Sequence, residues 1–378
     1  METNALEERF RFICEVASGR WSMTELCERF GISRPTGYKW LARSREADGS
    51  LEDRSRAPRR CPHRMSVRIS DRLLDARREY GWGAKKLRNV LSNRYPQLVW
   101  PARSTINDLL DRHGLLRKKR RRTKWSHPGV APLTTTGPNQ IWPADFKGQF
   151  RMGDGRYCYP LTVTDHFSRS LLACHGLWSV KIEDTWPVFR ALFREVGLPQ
   201  AIRTDNGAPF ASMGIHGLNR LNVRWMQLGI VHQRIRPASP QENGTHERMH
   251  RELKRETARP AASSMRSQQR RFDEFRKRYN DERPHEGIGD RVPASLWKPS
   301  PRAYPEKVPK PGYDSRMLVR LVSSAGTFWF RDKHVFLSNA LEGERIGLEE
   351  VDDGIWNIVY YSTLLGRIEE RTFEITGV

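Results

Sequence analysis

Residues 141–165 read IWPADFKGQFRMGDGRYCYPLTVTD, and this stretch sets the fold class of the central part of the chain. Two segments rich in aromatic and β-branched residues, Ile141–Phe150 and Tyr157–Asp165, lie on either side of Gly153-Asp154-Gly155. Such segments are typical of strands, and a short glycine-rich stretch between them is a hairpin signal. The sequence therefore predicts two antiparallel strands here.

The pattern changes after this hairpin. It predicts a third strand, then helix and strand in alternation, as Ser170–Gly176 (strand), Glu183–Val196 (helix), Ala201–Thr204 (strand), Ile230–Ile235 (strand) and Gln241–Thr257 (helix). Antiparallel strands followed by alternating helices and strands describe an α/β layered domain. We assign it residues 135–300, which include a further helix at Ser267–Asn280.

Three carboxylates stand out by their position in these elements. Asp145 lies in the first strand, Asp205 follows the Ala201–Thr204 strand, and Glu247 lies near the start of a helix, with 59 and 41 residues between them. Mg²⁺ takes hard oxygen ligands and keeps several waters, so a few converging carboxylates suffice to bind it. Two Mg²⁺ ions can activate an attacking oxygen and stabilise a leaving oxygen in phosphodiester chemistry.

Four motifs surround these carboxylates. They read WPAD at 142–145, RTDNG at 203–207, SPQENGTHER at 239–248, and YN at 279–280 followed by RPHE at 283–286. Together they closely resemble the DDE transposases of bacterial insertion sequences, whose catalytic core is RNase H-like and shared with retroviral integrases. The resemblance covers about residues 120–300. Two departures are a longer second interval, which we attribute to an insertion at Met213–Asn222, and the lack of the zinc-binding module of retroviral integrases.

The resemblance implies a function. The chain would be a transposase that binds the ends of its element, cleaves to expose a 3′-hydroxyl, and joins that hydroxyl to target DNA. Asp145, Asp205 and Glu247 would be both catalytic residues and ligands of two Mg²⁺ ions, with Mn²⁺ as a substitute. The partners would be double-stranded DNA and further copies of the chain, in the cytoplasm of a bacterium and associated with its nucleoid.

Other acidic residues compete with these three. Asp165 ends a strand of the same domain, and Glu242 lies close to Glu247. The motif context favours the first set and leaves Asp165 as a structural residue, with Asp154 in the turn. Two other functions stay open, an RNase H-like nuclease without strand transfer and a non-catalytic DNA-binding regulator.

The helix that carries Glu247 is strongly basic. Arg251 and Lys254 follow Glu247 by four and seven residues, which places them on the same helical face. We expect both to point along bound DNA, although a solvated basic face would give the same pattern.

Residues 1–50 contain a predicted helix-turn-helix. Ser22 and Glu25 form a capping box at the first helix, and Ser33 caps the second. The second helix would present four residues to the major groove: Arg34, Thr36, Tyr38 and Lys39. Gly37 stands where an apolar core residue is usual, and a plain helical hairpin is the alternative.

A second helical unit is predicted over residues 66–125. Its helices are Ser70–Tyr80, Ala84–Arg94 and Ser104–His113, and the last two again resemble a helix-turn-helix. Seven cations follow within eight residues, Arg117, Lys118, Lys119, Arg120, Arg121, Arg122 and Lys124. Such a run is usually a solvated face, but between two basic regions we expect it to follow DNA phosphates.

Residues 312–378 alternate apolar and polar side chains in five short segments, which predicts a small β-barrel or sheet. Residues 326–378 carry a net charge of −5, from 5 basic and 10 acidic side chains. We expect this domain to act in protein–protein assembly, because an acidic surface is repelled by phosphates.

Composition excludes several classes of protein. The 378 residues include 66 Lys and Arg against 44 Asp and Glu, a net charge of +22, and residues 1–125 alone carry +15. This excess indicates a polyanionic partner. Hydrophobic residues make up 37%, which excludes a disordered chain, and no apolar run reaches about 18 residues, so no membrane span is expected. Five scattered cysteines and the absence of a secretion signal predict a soluble protein of a reducing compartment.

Overall fold

The computed structural model describes residues 4–46, 49–56, 65–116, 134–146, 148–210, 218–235 and 244–377. The chain divides into two compact units, Met1–Ser66 and Val67–Val378. No helix among the described residues has both the length and the apolarity needed to cross a membrane.

The described part of the first unit has three helices, of which the sequence predicted two. They are α1 (Ala5–Ser18), α2 (Met23–Arg29) and α3 (Arg34–Ser44). The capping box of Ser22 and Glu25 is present, and Ser33 caps α3. The additional helix α1 buries Phe12 against Leu26 and Cys27, so the predicted hairpin is completed by a third helix.

Gly37 is buried at the point where these helices approach each other most closely. A Cβ atom at this position would lie 2.7 Å from Cys27 Sγ and 3.0 Å from Phe12 Cζ. The apolar side chain that is usual at this position would not fit, because α1 and α2 already fill the space.

The second unit begins with the predicted helical segment. Its helices are α4 (Val67–Tyr80), α5 (Ala84–Arg94) and α6 (Arg103–Arg112). Fully buried leucine and isoleucine side chains join them: Leu73, Leu87, Ile106 and Leu110. The predicted cationic run 117–124 lies outside the described residues.

A mixed sheet forms the central domain. Its strands are β1 (Ile141–Phe146), β2 (Phe150–Arg151), β3 (Tyr157–Thr164), β4 (Leu171–Leu177), β5 (Ala201–Thr204) and β6 (Val231–Arg234). Their order is β4-β3-β1-β5-β6, with β2 also paired to β3. The pairs β1–β3 and β3–β4 are antiparallel, whereas β1–β5 and β5–β6 are parallel.

The segment predicted as one strand, Ile141–Phe150, is two strands in the structure. Gly148 lies between them with a φ of 80°, a left-handed conformation that extended strand backbone does not contain. The predicted hairpin around Gly153-Asp154-Gly155 therefore joins β2, rather than β1, to β3.

Helices cover both faces of this sheet: α7 (Ile182–Val196), α8 (Arg220–Gln227), α9 (Gly244–Thr257) and α10 (Met265–Asp281). Successive residues of β3 point to opposite faces. Leu161 and Val163 join the core that contains Phe189 of α7, whereas Cys158 joins the core that contains Met249 of α9. The central domain is therefore the predicted α/β domain, with its sheet between two helical layers.

The C-terminal strands are β7 (Leu318–Leu321), β8 (Thr327–Phe330), β9 (Lys333–Phe336), β10 (Arg345–Asp352), β11 (Ile355–Tyr360), β12 (Thr363–Glu369) and β13 (Ile375–Thr376). They form an open five-stranded sheet, β13-β12-β11-β10-β7, and a two-stranded sheet, β8-β9. Of the two predicted alternatives the sheet is correct. The barrel is wrong, because the terminal strands β7 and β13 do not pair with each other.

This C-terminal domain shares its apolar core with helix α8. Leu218, Val223 and Met226 belong to the same buried cluster as Phe330 and Tyr360. The described end of the insertion predicted at Met213–Asn222 thus contributes Leu218 to this shared core. Residues 213–217 of the insertion lie outside the described residues.

The close packing at Gly37 gives a first prediction. Gly37→Ala should destabilise the first unit by about 1–3 kcal/mol, because the new methyl group overlaps the Cys27 sulfur. Adding Cys27→Ala removes that sulfur and should restore part of the loss. Amide hydrogen exchange of α2 and α3 in the full chain measures both effects. Equal exchange in the wild type and Gly37→Ala would contradict this account.

Candidate active site

The register between β1 and β5 aligns two of the predicted carboxylates. Ile141 pairs with Ala201 and Pro143 with Arg203, so partners differ by 201 − 141 = 60 residues. Continued for two residues, the same offset places Asp205 at the level of Asp145. Neighbouring strands lie about 4.8 Å apart, so the two side chains start from adjacent backbone positions.

Both aspartates lie on the face of the sheet that α9 covers. Trp142 and Ala144 are buried in the opposite core with α7, and Asp145 is therefore directed away from it. Its cross-strand partner on β3 is Thr162. Ile202 also faces the α7 core, so Asp205, three residues later, lies on the side of Asp145.

Two histidines attach α9 to β3 directly beside Asp145. The Nε2 atoms of His246 and His250 each lie 2.7 Å from the hydroxyl of Thr162, which donates to the backbone carbonyl of Asp145 at 3.0 Å. His246 Nδ1 also lies 3.3 Å from the Thr164 hydroxyl. Burial lowers the pKa of His246 to about 3, so this imidazole is neutral at physiological pH.

His250 also faces the carboxylate. Its Nδ1 atom lies 3.8 Å from Asp145 Oδ2, and the Asp145 side chain is 17% exposed. The side chain of Asp145 therefore lies between the buried imidazole and solvent, where a ligand can reach it.

Asp205 occupies a turn that is held from both sides. The amide of Gly207 donates to Asp205 Oδ1 at 3.1 Å, and Asn206 donates to the carbonyl of Ile235 at 3.0 Å. The preceding Thr204 hydroxyl donates to the Asp205 carbonyl at 2.9 Å. These contacts fix the backbone of Asp205 relative to the ends of β5 and β6.

A third histidine, His232 on β6, supports this turn through Thr204. His232 Nε2 lies 2.9 Å from the Thr204 hydroxyl, and its Nδ1 lies 2.9 Å from the side-chain amide of Asn222. Burial lowers the pKa of His232 to about 4, with a smaller contribution from the charge of Arg234. His232 is thus a neutral hydrogen-bonding group beneath Asp205.

Glu247 is exposed in the first turn of α9, next to His246. Across the described ranges, no three His, Cys, Asp or Glu side chains are grouped so that they could hold a metal ion. The structure therefore aligns Asp145 with Asp205 but does not gather Glu247 with them. Two carboxylates at one level suit Mg²⁺, which is commonly bound by one or two carboxylates and water.

The competing acidic residues have structural roles where they are described. Asp165 is fully buried and accepts hydrogen bonds from the amides of Asn139 and Ser168, both at 2.8 Å. Asp154 accepts from the amide of Arg156 in the turn between β2 and β3. Both assignments agree with the sequence-based interpretation. Glu242 lies outside the described residues.

The predicted DNA-contacting residues fall into three groups. On α3, Arg34, Tyr38 and Lys39 are exposed, while the Thr36 hydroxyl lies 2.8 Å from that of Ser33 at the helix cap. On α9, the two predicted residues line different cavities. Arg251 faces a cleft formed with α5 and the segment after α10, and Lys254 lines a small cavity beside Gln149 and Pro160. The third group is the cationic run outside the described residues.

Comparison with protein families matches two kinds of domain in the chain. Residues 135–240 and 228–293 match two descriptions of an integrase core domain, and residues 8–59 match a helix-turn-helix domain. The chain carries an integrase core domain. The matched core includes β1, β5 and α9, and therefore all three predicted carboxylates.

Two curated proteins are similar to parts of the chain. An uncharacterized 39.2 kDa protein of insertion element IS476 from Xanthomonas euvesicatoria is 28% identical over 241 residues, 61% of this chain and 64% of that protein. The Gag-Pol polyprotein of Rous sarcoma virus subgroup C (strain Prague) is 34% identical over 119 residues, 31% of this chain and 7% of the polyprotein. The chain thus spans less than two thirds of each relative. With the matched domains, they confirm the resemblance to insertion-sequence transposases with an integrase-like core.

Two solved structures are similar at lower levels. The HTLV-2 integrase catalytic core domain in complex with magnesium has a TM-score of 0.34 and 15% identity, covering 43% of this chain and 99% of that chain. An intasome of simian T-cell lymphotropic virus with the PP2A regulatory subunit B56 gamma has a TM-score of 0.38 and 17% identity, covering 77% and 97%. These values are too low to support an inference about this chain.

Sequence reasoning missed the residues that hold the aspartates in place: Thr162, Asn222, His232, His246 and His250. One signal was available for two of them, because His246 and His250 are four residues apart and therefore share a helical face. The partners Thr162 and His232 lie on other strands, and only the three-dimensional pairing brings them to the site.

The buried His232 gives a prediction about pH. Its folded pKa of about 4 lies below the ordinary value of 6.5, so its contribution to stability is complete above pH 6.5 and is lost as pH falls toward 4. This titration is absent from His232→Gln. The free energy of unfolding of the variant should therefore fall less steeply in that pH range than that of the wild type, with slopes that differ by up to about 1.4 kcal/mol per pH unit. Urea unfolding, followed by tryptophan fluorescence, measures the slope.

The exposed His113 supplies the control, since His113→Gln should keep the wild-type slope. Parallel curves for the wild type and His232→Gln would show that His232 titrates normally in the folded protein.

Proposed function

We propose that this protein is a transposase that binds the ends of an insertion element, cleaves a phosphodiester to expose a 3′-hydroxyl, and transfers that strand to target DNA. The observation that carries the proposal is the alignment of Asp145 and Asp205 on one face of adjacent strands. It lies within a matched integrase core domain and beside the helix that carries Glu247.

In this proposal Asp145, Asp205 and Glu247 hold two Mg²⁺ ions, or Mn²⁺ in their place. When bound, such ions activate an attacking water or hydroxyl and stabilise the leaving oxygen. Completing the ligand set requires the Glu247 side chain to approach the two aspartates. The chain contributes fixed backbone positions for both aspartates, through Thr162 on one strand and the Thr204–His232 pair on the other.

The N-terminal parts of the chain supply DNA binding in this proposal. The exposed residues Arg34, Tyr38 and Lys39 lie on α3, within the matched helix-turn-helix domain. The net charge of +15 over residues 1–125 attracts the DNA backbone without regard to sequence. Such an enzyme works where the chromosome is, in the bacterial nucleoid.

Two other functions are weighed against this one. A nuclease with an RNase H-like core would cleave without joining strands, and a DNA-binding regulator would do neither. The helix-turn-helix domain supports a protein that returns to defined DNA ends, and the aligned aspartates support catalysis. Assay of joined products separates the first alternative, and metal-dependent cleavage separates the second.

Asp205→Asn tests the catalytic assignment. The amide keeps the size of the side chain and its contact with Gly207, but it loses the charge that a metal ligand needs. We expect end cleavage and strand transfer to be lost, with affinity for element-end DNA near that of the wild type. Cleavage is measured on labelled end DNA with Mg²⁺, and affinity on the same duplex by mobility shift.

The matched control is Asp154→Asn, because Asp154 lies in the β2–β3 turn of the same domain. It should cleave and join like the wild type. An active Asp205→Asn enzyme would remove Asp205 from the catalytic set.

We further propose that copies of the chain assemble on DNA through the C-terminal domain. Trp329 and Phe336 are exposed by 47% and 56% and share the outer face of the β8–β9 sheet. Residues 326–378 carry −5 and the remaining residues carry +27, so the acidic domain of one copy complements the basic surface of another.

Substitution of these two aromatic residues tests the assembly better than deletion of residues 312–378, because deletion would uncover Met226 and Val223 of α8. Trp329→Ser with Phe336→Ser should reduce multimers on DNA, measured by light scattering, and leave single-end affinity unchanged. Trp178→Ser, an exposed tryptophan of the central domain, is the control. Normal multimers with weakened end affinity would instead assign this face to DNA.

A further inference from the structure

A cleft of about 430 Å³ lies beside α9. Its walls come from parts of the chain that are distant in sequence, including α5, α9 and the segment after α10. The first contributes Lys86, the second Arg248 and Arg251, and the third Arg283. Tertiary structure thus brings together cations that no sequence motif links.

The cleft carries an excess of positive charge. Five cations line it, the fifth being Arg169, against two carboxylates, Glu252 and Glu286. Both carboxylates are already paired. Glu252 accepts from Arg255 at 2.6 Å and from Arg283 at 3.1 Å, and Glu286 accepts from Lys85 at 2.8 Å. The lining therefore has a net charge of 5 − 2 = +3, and part of its acidic charge is neutralised from outside.

Lys86 forms no ion pair with either carboxylate of the cleft. Among the residues that the structure describes, no carboxylate forms an ion pair with Lys86, Arg248 or Arg251. Burial, together with the charge of Arg283, lowers the pKa of Lys86 to about 8, against the smaller opposing effect of the carboxylates of Glu252, Asp290 and Glu286. A cation that is partly buried beside a second cation is costly unless an anion joins them.

Arg283 presents a second unsatisfied group. Its side chain is only 11% exposed, and its Nε atom is buried without a hydrogen-bond partner among the described residues. Unpaired buried donors of this kind are rare in folded proteins.

We propose that this cleft is a binding site for a phosphate group, and that in the DNA complex it holds one backbone phosphate of the bound duplex. The five cations come from four separate parts of the chain, and the volume accommodates a phosphodiester group. Arg248 directly follows Glu247, and Arg251 lies one helical turn further, so a strand passing the carboxylates along α9 reaches the cleft next. The assignment to DNA, but not the anion site itself, rests on the proposed function.

Lys86→Gln combined with Arg251→Gln tests this site in the full chain. Neither residue holds another element through a described ion pair, so the fold should persist. The control is Lys181→Gln, which removes an exposed cation at the start of α7, on the other face of the sheet. Two probes are used with each protein, pyrophosphate alone and a short DNA duplex.

Pyrophosphate should raise the thermal midpoint of the wild type and of Lys181→Gln, but not of the double variant. Affinity of the double variant for the duplex should fall about tenfold, as expected for losing charge-assisted contacts to one phosphate. The slope of log affinity against log salt should become smaller by about 1, because binding that neutralises one phosphate fewer releases fewer counterions. A double variant that matches Lys181→Gln with both probes would overturn the proposal.

The two probes separate the source of the phosphate. Pyrophosphate binding that depends on Lys86 and Arg251, with unchanged DNA affinity and salt slope, would overturn the DNA assignment and leave a site for free phosphate. Failure of the proposed function is seen elsewhere, as absence of metal-dependent cleavage and joining by the wild type. That result would leave the pyrophosphate measurements fully interpretable.

Discussion

The pairing of β1 on both of its edges is the constraint on which the rest of the site depends. One edge runs antiparallel to β3 and the other parallel to β5, and each register fixes one neighbour of Asp145. A slip of one residue would turn Trp142 out of the core and Asp145 into it. Because Trp142 is fully buried and donates to Asn139, the hydrophobic core itself protects the alignment of the two aspartates.

Both aspartates are positioned by the same kind of contact. A threonine on the strand bonds to the aspartate backbone and to a buried imidazole, Thr162 with His246 on one side and Thr204 with His232 on the other. A buried polar group costs free energy unless it is hydrogen-bonded. Neutral histidines meet this condition because each ring has two nitrogen atoms that can bond. The sheet is thus joined to α9 and to α8 by directional contacts rather than by apolar packing alone.

Local signals in the sequence predicted most of the secondary structure. The helix predicted at Ala84–Arg94 has the same bounds in the structure, and the capping box at Ser22 marks the true start of α2. Helix α1 was missed because its role is tertiary: Phe12 fills the space above Gly37. Sheet closure was also beyond prediction, since it depends on whether β7 meets β13 across more than fifty residues of chain.

For the candidate site, too, the sequence predicted the features that depend on local motifs and missed those that depend on tertiary structure. The motifs singled out the three carboxylates, and the structural role of Asp165 follows from its hydrogen bonds to backbone amides. The level of Asp145 with Asp205 depends on a parallel pairing between strands sixty residues apart, which no local pattern encodes. The histidine supports and the basic cleft are further from prediction, because each needs three separate elements to be in place.

The end of α10 and the segment after it contact both the central sheet and the helical unit that precedes it. Asn280 bonds both the amide and the carbonyl of Leu171, which ties α10 to β4. A few residues later, Glu282 accepts from Tyr80 and Glu286 from Lys85, so the same segment also contacts α4 and α5. The YN and RPHE motifs therefore supply a junction between the helical unit and the central domain. Since these contacts are charged and partly exposed, each contributes little alone, and the junction depends on their acting together. A phosphate bound in the adjacent cleft would contact both α5 and α9, and would strengthen this junction only when DNA is present.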